Sequence, residues 1–138
     1  MSQYNSFVSS NPPPPTASEI PILTELKECY LVWHGFLPHI PRLSRYTMGV
    51  KIDTLFLELL ETTRTAQYAK REDKLALLNI LSHKLDNLKF FFTILWEAHG
   101  LDAGKYGQLS QKLVTAGRML GKWLLLLKTE APAARTGA

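Results

Sequence analysis

From residue 78 to residue 95 the chain reads LNILSHKLDNLKFFFTIL. Leu78, Leu81, Leu85, Leu88, Phe92 and Leu95 recur in steps of three and four, the spacing that returns side chains to one side of an α-helix. A half-buried strand would alternate apolar and polar residues, and no window of the chain does so. The stretch is therefore expected to be a long amphipathic helix. Glu72 and Asp73 suit its positively polarised first turn, and Gly100 is expected at the left-handed position that ends it.

The same spacing recurs on both sides. Downstream, Asp102 is a candidate cap for a helix with the seam Tyr106, Leu109, Leu113, Ala116, Leu120, Trp123 and Leu127. Upstream, Ser44 is the candidate cap of a helix with the seam Met48, Ile52, Leu55, Leu59, Thr62, Ala66 and Ala69. Before that, Leu23, Leu26, Tyr30, Trp33 and Leu37 form the first seam, with Pro21 tolerated in its first turn and Pro38 and Pro41 ending it. Four amphipathic segments with short connections predict an all-α fold, an antiparallel up-down-up-down four-helix bundle over residues 19–129. Residues 1–18, with Pro12 to Pro15, are expected to form a disordered Pro-rich leader, and 130–138 a disordered tail.

The 138 residues are 46% hydrophobic and 20% charged, which suits one domain with a packed core. The only cysteine, Cys29, can form neither an internal disulfide nor a cysteine metal cluster, and is expected in the core. No apolar run approaches the ~20 residues of a membrane span, and the start of the chain lacks a signal-peptide pattern. A cytoplasmic location without membrane attachment is expected.

Catalysis has little to stand on. A di-iron bundle needs Glu-x-x-His pairs on two helices, and the sequence has none. Glu97 and His99 stand two apart, on different faces, and His34, His39 and His83 are scattered. Glu58, Glu61 and Arg64 read as a solvated charged face. No phosphate-cradling Gly-rich loop or nucleophile motif occurs. The expectation is a protein that is not an enzyme, with no catalytic residue, no metal and no cofactor.

Two features point to partners instead. The first is apolar residues beyond the seams: Phe56, Leu57 and Leu60; Leu77, Ile80, Phe90, Phe91, Ile94 and Trp96; Leu124 to Leu126. Exposed apolar patches mark interaction sites, so a homo-oligomer is expected, with Phe90, Phe91 and Ile94 at its interface. Gly117 and Gly121, four apart beside the last seam, let a neighbouring helix come close and join that interface set. The second feature is charge. The formal net charge is +4 and the pI about 9.3. From Ala103 to Thr129 there are five basic residues and no acid. Lys112, Arg118 and Lys122 on this helix, Arg42, Arg45 and Lys51 near the second helix, and Lys84 and Lys89 on the third are the candidate nucleic-acid-binding residues. A polyanion would relieve the self-repulsion of such a surface; an acidic protein would do so too.

Arg45-Tyr46-Thr47-Met48-Gly49-Val50-Lys51-Ile52 resembles the helix-two signature of the accessory variability determinant family of bacterial and phage diversity-generating retroelements. Gly117-Arg118-Met119-Leu120-Gly121-Lys122-Trp123 resembles that family's helix-four signature, and Leu85-Asp86-Asn87-Leu88-Lys89 is similar to its helix-three pattern. The likeness covers residues 37–128. It implies a four-helix protomer in a ring-like homopentamer with a basic surface, associated with a reverse transcriptase and its template RNA, with DNA as a further candidate partner. It implies a non-catalytic role in mutagenic retrohoming, with Arg45, Lys51, Arg118 and Lys122 as polyanion contacts. Met48 and Lys122 depart from the pattern, which leads one to expect Leu and a second Gly there. The four-helix proteins encoded in ribosomal RNA intervening sequences share the fold but match these segments less well; they imply an oligomeric docking scaffold without specific RNA binding.

Overall fold

A computed structural model describes residues 19–137, and the surroundings of side chains as far as Thr129. The leader expected at 1–18 lies outside the described residues. The elements are α1 (Pro21–Phe36), a 3-10 turn (Leu37–His39), α2 (Arg42–Tyr46), α3 (Met48–Tyr68), α4 (Arg71–Glu97) and α5 (Ala103–Gly137). The fold is all-α, with no strand among the described residues. Helix α5 runs to Gly137, through the stretch read as a tail.

α3 packs on α4, α4 on α5, α5 on α1 and α1 on α3. All six seam residues of α4, Leu78, Leu81, Leu85, Leu88, Phe92 and Leu95, are buried. On α5, Leu109, Leu113, Ala116, Leu120 and Leu127 are buried, and Tyr106 and Trp123 lie half-buried against them. On α1, Ile22 and Cys29 join Leu23, Leu26 and Trp33 in the core.

The α3 seam is wider than expected: Ile52, Leu55, Leu59 and Ala66 are buried in their expected places, and Ala69 is half-buried. Gly49, Ile52, Phe56, Leu59, Thr63 and Ala66 are buried together with Leu55, whereas Met48 and Thr62 are half-buried. Phe56, read as surplus, is wholly inside. The cause is aromatic packing. Phe56 lies against Trp33 (ring centroids 6.5 Å apart, stacked), Phe92 (5.8 Å, edge-on) and Tyr30 (5.5 Å, edge-on). Trp33 and Phe92 meet edge-on at 5.3 Å, and such pairs add ~0.5–1.5 kcal/mol beyond the burial of their area. Thr63 sits in this core by donating its hydroxyl to the Leu59 carbonyl, 2.7 Å away.

Two helix ends differ from expectation. Ser44 does not cap the second long helix. It lies inside α2, and the chain breaks at Thr47 (φ −111°, ψ −85°), whose hydroxyl donates to the Leu43 carbonyl at 2.7 Å. At the end of α4 the left-handed residue is His99 (φ 64°), not Gly100. His99 N–H donates to the Trp96 carbonyl and Gly100 N–H to the Leu95 carbonyl, the paired bonds of a Schellman ending. Gly100 is needed one position later for space: a Cβ there would collide with the Leu95 side chain and lie 3.1 Å from its carbonyl. Asp102 does cap α5, accepting from the Lys105 N–H at 2.8 Å.

His99→Gly should therefore raise stability by ~1 kcal/mol, because a side chain in the left-handed region costs ~1–2 kcal/mol and part of that relief is offset by glycine's greater freedom in the unfolded chain. Gly100→Ala should lower stability. Urea melts of the two variants measure both.

Candidate nucleic-acid interface

The eight candidate cations do not form one patch. Arg42 is exposed on α2. Arg45, three residues later, is already engaged: its Nε and Nη2 donate to the Ile40 carbonyl at 3.2 and 3.1 Å, tying the Pro-rich turn to α2, and its guanidinium lies over the Tyr46 ring. Lys51 on α3 is exposed, with its ammonium 5.8 Å from the centre of the Phe91 ring. Lys84 on α4 is matched by Glu58 of α3 at 2.8 Å, and this bond, with the ammonium's charge, holds the Glu58 carboxyl below its usual range. Lys112 faces α1, close enough for its charge to act on the Cys29 thiol.

Lys89 and Arg118 come together. Both line a groove of about 320 Å³ between α4 and α5. Gly117 and Gly121 line it too, and of the two only Gly121 has open space where a side chain would stand. The Lys89 Nζ lies 3.2 Å from the point where a Gly117 Cβ would stand, and nothing lies within 4 Å of the same point at Gly121. Neither Lys89 nor Arg118 has an ion-pair partner among the described residues. Asp86 is the one acid that lines the groove. Lys122, one turn beyond Arg118, lines a different hollow at the other flank of α5, together with Lys74 of α4. The pairing of Lys74 with Lys122 has no signal in the sequence, where 48 positions separate them; only the packing of the start of α4 beside the later turns of α5 brings them together.

The candidate interface residues divide as well. Phe90 is 59% exposed on α4, with Ile80 (45%) on the same helix and Leu125 (65%) on α5. Phe91 and Ile94 are half-buried, Phe91 against the core and beneath Lys51. Gly117 and Gly121 line the α4–α5 groove.

Among the described residues no group of three His, Cys, Asp or Glu side chains is placed to hold a metal, and no buried side-chain nitrogen or oxygen lacks a hydrogen-bond partner. Among the described residues no helix is long and apolar enough to cross a membrane. Cys29 is wholly buried, and loss of hydration pushes its thiol up to about 12, against a smaller opposing pull from Lys112.

Two outcomes follow for Cys29. Ellman's reagent at pH 8 should label the native protein far more slowly than the unfolded chain, since the thiolate is the nucleophile. Because the folded thiol keeps its proton above the ordinary value near 9 while the unfolded one loses it, the native state binds more protons there. Its contribution is whole below pH ~8.5 and is lost as pH rises toward 12. Urea melts from pH 8 to 10.5 should show a steeper loss for the wild type than for Cys29→Ala. Compared with models of protein families, with curated proteins and with solved structures, the chain matches none.

Proposed function

We propose that this chain is a non-catalytic, nucleic-acid-binding accessory subunit of a diversity-generating retroelement reverse transcriptase. In this reading it supports mutagenic cDNA synthesis from template RNA in the cytoplasm. The protomer is an antiparallel up-down-up-down four-helix bundle, a topology supported by the closed cycle of neighbours α1, α3, α4 and α5. The retroelement assignment and the homopentamer rest on the resemblance of residues 45–52, 85–89 and 117–123 to the accessory variability determinant family.

The observation that carries nucleic-acid binding is the α4–α5 groove. Lys89 and Arg118 line it with no carboxylate paired to either among the described residues, and the space at Gly121 beside them is open. A phosphate oxygen supplies the missing acceptor: an Arg fork grips it with two N–H bonds and a Lys ammonium with one. Arg42 and Lys51 are further exposed cations for the same strand or its neighbour. The exposed Ile80, Phe90 and Leu125 favour a second reading, an oligomeric docking scaffold whose charge meets an acidic protein.

Lys89→Gln with Arg118→Gln should weaken binding of single-stranded RNA and lower the slope of log affinity against log salt by about 1.4, since each lost phosphate contact removes ~0.7 of slope. An unchanged slope in a variant that melts like the wild type would remove the groove from the interface. Capture of the tagged protein from its host should yield a reverse transcriptase and one discrete RNA, with RNase showing whether RNA bridges the two. Recovery of protein partners alone would favour the scaffold.

A further inference from the structure

We infer that the hollow where α1 begins and the later part of α5 passes is a binding site for an anionic amphiphile, a small molecule with an apolar body and one carboxylate, sulfonate or phosphate. The hollow holds about 550 Å³, inside the range of small-ligand sites. Its walls are Ile22 from α1 and Met119, Trp123 and Leu126 from α5. Ile22 is buried, Met119 and Trp123 are half-buried, and Leu126 is 53% exposed, so an apolar floor opens to solvent at one lip.

The charges at this hollow have one sign. Lys74 and Lys122 are the charged residues that line it, and no acid does. Neither ammonium has an ion-pair partner among the described residues. Two acids adjoin lining residues along the chain: Glu19, beside Ile20, is already taken by Lys27 at 2.8 Å and the Thr24 hydroxyl at 2.7 Å, and Asp73, beside Lys74, does not line the hollow. Two like charges beside one apolar cavity repel each other, and an anion set between them relieves that repulsion while its apolar body covers Trp123 and Met119. The thioether and the indole suit a flat or flexible apolar group. A neutral ligand would leave the two ammonium groups as they are, and a hydrophilic anion would leave the apolar walls wet. Charge complementarity therefore selects the amphiphile. The site lies on the opposite flank of α5 from the Lys89–Arg118 groove, so it stands whether or not that groove binds RNA.

The probe is anilinonaphthalene sulfonate, titrated into the full chain with its own emission as the signal. Its uncharged relative, N-phenylnaphthylamine, is the comparison. The sulfonate should saturate one site per chain. Lys74→Gln with Lys122→Gln should weaken it about tenfold, as expected on loss of charge-assisted bonds, while N-phenylnaphthylamine changes less than about twofold. Leu126→Glu, at an exposed position, should weaken the sulfonate and leave the melting curve unchanged. Decanoate below its micelle concentration and vesicles of phosphatidylglycerol are then used as competitors. Displacement by decanoate points to a free ligand, and displacement by vesicles alone to a lipid at a membrane surface; either supports the site. Displacement by neither, no saturable sulfonate binding, or equal loss of both dyes in the lysine variant would overturn it.

Discussion

Trp33 is wholly buried, and its indole N–H must find an acceptor where water does not reach. It finds Asp53 Oδ1 of α3 at 3.1 Å. A buried donor left without a partner costs ~1–3 kcal/mol, so this bond ties the rotation of α1 to that of α3. The Tyr30 hydroxyl uses the same carboxylate, which, after burial, is the next reason its phenol is held above its usual range. With those two rings fixed, Phe56 one turn along α3 fills the space between them, and Phe92 of α4 closes the cluster. The Asp53 carboxylate thereby joins two side chains of α1 to α3, beside the ring cluster in which α1, α3 and α4 meet.

Periodicity made most of this legible in the sequence. It worked best on α4, where one narrow seam faces the core and all six expected residues are inside. It worked less well on α3, where the ring cluster with Trp33 and Phe92 draws Phe56 inward; spacing alone could not say that Phe56 and Thr63 are in and that Met48 and Thr62 are only half covered. Helix ends were legible where a side chain makes the cap, as at Asp102. They were not where the backbone makes it, as at His99, because residue preference pointed to the glycine one place later.

Charge was legible as a tendency of whole helices and not as a site. The acid-free run of α5 can be read directly from the letters, but the letters do not say that Lys84 meets Glu58, that Arg45 holds the Ile40 carbonyl, or that Lys74 stands near Lys122. Those facts depend on which turn of one helix lies beside which turn of another. Of the eight candidate cations, packing draws only Lys89 and Arg118 to one groove, and it removes Lys84 from the free positive charge of the surface.

At Gly117, shape and potential are the same variable. The Lys89 ammonium occupies space that any other residue would claim, 3.2 Å from the absent Cβ. A methyl group there would make that ammonium give by a few tenths of an ångström without altering the net charge of the molecule. Lineages of this protein could therefore retune the electric field over the groove through an uncharged position, and a tally of acidic and basic residues would record no change.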